Sequence, residues 1–170
     1  MQVCERIINV TDYVTKSNLP ASDYVINPYV GCPHGCKYCY ACFMKPNLIL
    51  RDLELLKQCK HLTVSMSINT LDEKFRADMD HASSIKDRLQ TLKTLHDNGI
   101  YTILFMSPMF PEITNFRKII SASKEFVDEY WLENLNLRGS YKQTIMDYIK
   151  EQYPQLTSLY ETIYVKRNMS

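Results

Sequence analysis

The chain has 170 residues, of which 45% are hydrophobic and 23% charged. That balance and length suit one globular domain with a sizeable core and exclude a disordered or fibrous chain. Lys+Arg is 20 against 19 Asp+Glu, a net charge of +1, which leaves no bulk electrostatic footprint for nucleic acid or an acidic membrane. No apolar run approaches the ~20 residues of a membrane span. The opening MQVCERIINV carries Glu5 and no long apolar core, unlike a secretory signal. The expected compartment is the cytoplasm, where thiols stay reduced.

Residues 24–29, YVINPY, read as a strand running into a turn at Asn27-Pro28. Residues 48–59, apolar at 49, 53, 55 and 56, suit a short helix. Residues 62–69 alternate strictly. Leu62, Val64, Met66 and Ile68 take one face, and Thr63, Ser65, Ser67 and Asn69 the other, as in a strand with two chemically distinct faces. Ser84 and Asp87 form a capping-box-like start to a helix with an apolar stripe at Ile85, Leu89, Leu92 and Leu95, and Asn98-Gly99 ends it. The apolar run 100–106 predicts a strand covered on both faces, stopped by Pro108 and Pro111. Phe116, Ile119, Ile120, Phe126 and Val127 mark a helix face, and 130–135 a further strand. Residues 141–153 and 156–164 predict helices separated by Pro154. This alternation of strand and helix predicts a parallel α/β sheet whose functional residues gather at the strand ends. Glu133, Asn134 and Arg138 stand where a strand finishes, so they either line a site or close the strand.

Six cysteines stand at 4, 32, 36, 39, 42 and 59, and four of them fall within GCPHGCKYCYAC. A disulfide framework would spread them along the chain; crowding in one loop suits a metal site. Three thiolates spaced CxxxCxxC can grip one face of a cubane iron–sulfur cluster and leave one iron open. Gly31 and Gly35 leave room for the backbone to curl around such a cluster, and Pro28 and Pro33 stiffen the approach. Zinc is the competing ion, but it usually draws on two separated ligand pairs. Cys42 could supply a fourth ligand by count, and His34 could ligate or support. Cys4 and Cys59 are expected to be inert thiols, His61, His81 and His96 structural or solvated, and the C-terminal tyrosines packing residues.

NPYVGCPHGCKYCYA resembles the cluster loop of the radical SAM superfamily, with an aromatic residue before the third cysteine. TKSNLP, SINTLDE at 67–73, LHDNGI at 95–100, SPMFPEIT at 107–114 and ENLNLRGSY at 133–141 are similar to the subgroup related to spore photoproduct lyase, including the paired radical SAM proteins of mobile elements. The resemblance covers nearly the whole chain in order. It implies one partial parallel (βα) barrel domain over 1–170, with its cluster loop at 31–42 and C-terminal helices at 141–164. It implies a 4Fe-4S cluster on Cys32, Cys36 and Cys39. S-adenosyl-L-methionine would chelate the open iron and be cleaved by one-electron reduction to methionine and a 5′-deoxyadenosyl radical. Tyr38 would contact the cofactor's adenine region, and Ser65, Ser67 and Asn69 would face inward toward the cofactor. A flavodoxin or ferredoxin would supply electrons. A nucleic-acid substrate is suggested by the lyase likeness but unsupported by the charge.

In the family's layout, further strands and helices stand between the cluster loop and the segment that 48–59 resembles, which lies after the third strand. Here only the short stretch 42–47 separates the two. A βαβ unit needs ~30 residues, so about two βα units are absent. The first strand is then expected to pair directly with that at 62–69, or both show unpaired edges. Glu112 stands where the family often has glycine. Two functional expectations result: a working radical SAM enzyme with a shortened barrel, or a truncated, non-catalytic iron–sulfur or zinc-binding remnant.

Overall fold

The computed structural model describes residues 14–16, 24–26, 46–59, 61–137 and 141–165. Two short strands come first, β1 (Val14–Lys16) and β2 (Tyr24–Ile26), paired antiparallel with Thr15 opposite Val25. A 3-10 helix (Pro46–Asp52) runs into a single turn, α1 (Leu53–Leu56). Next in the chain are β3 (Thr63–Ser67), α2 (Glu73–Met79), α3 (Ile85–Asp97), β4 (Tyr101–Met109), α4 (Phe116–Ser123) and β5 (Glu129–Asn134). Two further helices, α5 (Tyr141–Gln152) and α6 (Thr157–Tyr164), are joined by a 3-10 turn (Pro154–Leu156).

The main sheet is three-stranded and parallel, in the order β3-β4-β5. Of the two expectations for the first strand, direct pairing with 62–69 is corrected, while β3 does stand at the sheet's edge among the described residues. Residues 24–26 pair with β1 in a separate antiparallel ribbon rather than with β3. The predicted helix at 48–59 is 3-10 up to Asp52 and α-helical only over Leu53–Leu56, since its apolar positions serve a short packed element. Leu53 and Leu56 close over Val64, Leu95 and Ile100.

Helix α3 begins and ends as its sequence dictates. The Ser84 hydroxyl accepts the Asp87 N–H at 3.0 Å, and Gly99 takes φ +77. Helix α2 escaped the periodicity because it is short. Asp72 caps it by accepting from the N–H of Lys74 and Phe75, and its only buried side chains are Phe75 and Met79. Helix α4 is capped by Asn115 and ends at Ser123, so Phe126 and Val127 pack from the loop beyond it.

Pro108 does not stop β4. It lies inside the strand where the pairing with β5 shifts register between Met106 and Met109, a place where its missing N–H costs no ladder bond. Besides the small cluster around Val64, one core packs on the sheet and another gathers residues from beyond the ends of its strands. One joins Met66, Ile68, Leu104 and Met106 to Ile85 and Leu92 of α3 and Ile119 of α4. The other gathers Phe75, Met79 and Phe110 with Ile145, Tyr148, Ile149 and Tyr160 of the C-terminal helices. Phe75 meets the ring of Phe110 edge-on at 5.0 Å. The C-terminal tyrosines are packing residues, as expected. Tyr160 is fully buried and donates to the Pro111 carbonyl at 3.0 Å, and Tyr148 donates to Asp78 at 2.9 Å.

Candidate functional site

In β3, the residues Val64, Met66 and Ile68 are buried, and Met66 and Ile68 pack toward α3 and α4. Alternation therefore turns Thr63, Ser65 and Ser67 to the opposite face of the sheet. Register extends that face across the sheet. Ser65 lies beside Ile103, which lies beside Glu129; Ser67 lies beside Phe105, which lies beside Trp131. The face thus runs from small hydroxyls on β3 to aromatic rings and carboxylates on β4 and β5.

Along β4 and β5 the groups of this face are tied together. The Ser107 hydroxyl donates to Glu133 Oε2 at 2.5 Å. Phe105 and Trp131 meet edge to face with ring centroids 6.1 Å apart. The indole N–H of Trp131 donates to Glu129 Oε1 at 2.8 Å, which fixes the ring from its other side. Glu129 and Asp128 also act on Tyr101. Its phenol is pushed above its ordinary value first by desolvation and then by the Glu129 and Asp128 charges.

Asn69 stands beyond the end of β3 and is buried, with its Nδ2 donating to the Pro108 carbonyl at 3.1 Å. It joins the ends of β3 and β4. Below it, the buried Arg88 of α3 donates to the Ser67 carbonyl at 3.1 Å and to both oxygens of buried Asp80, at 3.2 and 3.4 Å. This ion pair anchors the end of the strand that carries Ser65 and Ser67.

Of the residues the sequence singled out, Ser65 is exposed, Ser67 half-buried and Asn69 buried. Ser65 and Ser67 share the face; Asn69 sits above it. Cys32, Cys36, Cys39, Tyr38, Cys42, His34 and Arg138 lie outside the described residues. Among the described residues, no group of three His, Cys, Asp or Glu stands together as a metal site. Cys59 is an exposed free thiol. Glu133 lines the face, while Asn134 is exposed and closes the strand opposite Met109. Sequence reasoning missed Phe105, Ser107 and Trp131. The signal available was the alternation of 101–109, hidden because Ile103 on the same face is apolar and buried. Among the described residues no helix is long and apolar enough to cross a membrane.

No family model matches the chain. It is similar to the uncharacterized protein MJ0683 of Methanocaldococcus jannaschii, with 26% identity over 211 residues, covering 84% of this chain and 81% of that protein. Among solved structures it is similar to SuiB of Streptococcus suis, crystallised with S-adenosylmethionine. The TM-score is 0.50 at 11% identity, over 72% of this chain and 46% of SuiB. The chain therefore spans less than half of SuiB's length. The likeness is one of fold. The α/β architecture with its parallel sheet is consistent with the partial radical SAM-type fold that the cysteine loop implies.

Proposed function

We propose that this chain is a radical SAM iron–sulfur protein of the spore photoproduct lyase-like subgroup. Cys32, Cys36 and Cys39 would hold a 4Fe-4S cluster, which would leave one iron for S-adenosyl-L-methionine. One observation carries the reading: the CxxxCxxC loop stands in a chain that shares its fold with a protein crystallised with S-adenosylmethionine. The donor set fits the group. Three soft thiolates within one loop suit an iron–sulfur cluster and leave a coordination position for a chelating cofactor.

When bound, cluster and cofactor together supply one-electron reductive cleavage, with the electron drawn from a flavodoxin or ferredoxin. The chain's own residues bind and orient. By the resemblance Tyr38 would contact the adenine region, and Ser65 and Ser67 would offer hydroxyls from the open face of β3. Asn69 commits its Nδ2 to Pro108, so only its Oδ1 would be left to accept from the cofactor. The Arg88–Asp80 pair holds the end of β3 in place beneath them. The reading places the protein in the cytoplasm.

A second reading is favoured by one finding. The alignment with the Methanocaldococcus protein extends over 211 residues although it takes in only 84% of a 170-residue chain. The relative thus holds tens of residues more across the matched span. This supports a barrel shortened by about two βα units, which binds a cluster without turning over.

Anaerobic reconstitution with iron and sulfide tests both. Broad visible absorbance that Cys36→Ala abolishes is expected, and a colourless protein with stoichiometric zinc would overturn the cluster. Formation of 5′-deoxyadenosine from S-adenosylmethionine under reduction separates the enzyme from the non-catalytic remnant.

A further inference from the structure

Helices α3 and α4 leave a groove of about 440 Å³ between them. Its floor is apolar. Ile85 and Leu89 of α3 line it with Ala122 of α4 and Phe126 just beyond that helix, and Leu71, 38% exposed, joins them. The rim is basic. Lys86 and Lys93 stand one heptad apart, on the same side of α3 and about 10.5 Å along its axis. Both are exposed. Lys86 makes no ion pair among the described residues, and Lys93 shares only an exposed one with Asp97 at 3.0 Å. The acidic residue that lines the groove, Glu73, is already committed. Its Oε1 accepts the Ile85 N–H at 2.5 Å, and its Oε2 holds Arg76 at 2.6 Å. Asp87 and Glu125 do not line the groove. The open charge is therefore positive. An apolar row beside cations a heptad apart is complementary to an amphipathic helix with carboxylates at the same interval.

We propose that the α3–α4 groove docks an acidic amphipathic helix of a partner protein. Its apolar side chains sit between Leu89 and Phe126, and carboxylates one heptad apart meet Lys86 and Lys93. The floor supplies affinity, and the lysines supply choice of partner. The contact runs along two turns of α3, so the partner contributes about two to three turns of its own. A contact this short suits a transient association. The groove shares no residue with the cluster loop or the Ser65–Ser67 face, so the inference stands apart from the cofactor reading.

Three synthetic helices of one length test it. The first carries a leucine stripe flanked by glutamates one heptad apart. The second has lysines in place of those glutamates, and the third has serines in place of the leucines. Each is titrated into the full chain, isotopically labelled, and read by nuclear magnetic resonance shifts and by calorimetry. The first is expected to saturate, with shifts centred on Leu89, Gln90 and Phe126. The second and third are expected to bind more weakly by about tenfold or more. With Lys86→Glu and Lys93→Glu combined, the preference between the first and second should reverse. Ala122→Trp, at an exposed position, fills the groove. It is expected to weaken the first helix by about tenfold or more and to leave the melting temperature little changed. The proposal is overturned if the first helix does not saturate, if either control binds as tightly, or if charge reversal leaves the order unchanged. Shifts that fall outside the groove also overturn it. Phosphatidylglycerol vesicles that shift these residues while the helix does not would assign the groove to a membrane surface. Self-association of the chain through these residues would assign it to a second copy. Either result overturns the partner helix.

Discussion

The two faces of the β3-β4-β5 sheet share one backbone and differ in nearly everything else. Toward α3 and α4 the side chains are Met66, Ile68, Leu104 and Met106, all buried, with Leu104 and Met106 fully so. On the other face Ser65 is exposed, and Phe105, Ser107, Trp131 and Glu133 are half-buried. Adjacent residues along a strand thus enter the core and stand away from it in turn. The difference teaches where substitution is tolerated: the helix-side face holds the fold, and on the other face, the buried Ile103 apart, side chains can change with little loss of stability.

The largest expected effect breaks the helix-side face. Leu104→Ala leaves a cavity and is expected to cost about 3–4 kcal/mol in urea unfolding. On the opposite face, Ser65→Ala is expected to stay within about 0.5 kcal/mol. Comparable losses from the two would end the asymmetry. Removing Arg88 belongs to the same upper range. Arg88→Leu leaves Asp80 buried without its main partner, at an expected cost of about 3–5 kcal/mol. It should also weaken S-adenosylmethionine binding, read by calorimetry, if the end of β3 is set by this pair.

The C-terminal core sharpens the contrast through pH. Burial pushes Tyr148, Tyr153 and Tyr160 upward, and Tyr164 from 10.0 to about 12. For Tyr148, the hydrogen bond to Asp78 adds to burial. A phenol whose folded pKa lies above the unfolded value holds its full contribution below pH 10.0 and loses it as pH rises toward about 12. Thermal stability should therefore fall across that window, with part of the phenolate absorbance appearing only on unfolding. A titration in which all tyrosines ionise as free phenols in the folded state would contradict the packing. Tyr160→Phe removes the bond to Pro111 and is expected to cost about 1 kcal/mol.

The smallest effect is a gain. Glu112 sits at φ +60, where side chains are disfavoured. Glu112→Gly is expected to raise stability by up to about 1 kcal/mol, seen as a higher melting temperature.

That position shows how the sequence can be read. The likeness to the radical SAM subgroup flagged Glu112 as standing in place of a glycine, and the left-handed backbone gives the physical reason. The alternation of β3, the Ser84 cap, Gly99 and the C-terminal helices were equally legible, because each is written in neighbouring residues. What escaped was set by distant ones. Nothing local to 24–26 shows that its partner is 14–16 rather than β3, and Pro108 reads as a stop until the register shift opposite it is seen. Ser65 and Ser67 were found as candidate residues through a period of two. Phe105 and Trp131 lie 26 positions apart, and only parallel pairing sets them side by side.

The bond from Tyr160 to Pro111 spans 49 positions. A ribosome makes β4 and its turn well before it makes α6. During that interval Phe75, Met79 and Phe110 have been synthesised but not yet covered by the helices that enclose them. The nascent polypeptide therefore carries a sticky, half-assembled surface through much of translation. Slowing elongation between residues 111 and 160 should raise its demand for chaperone protection.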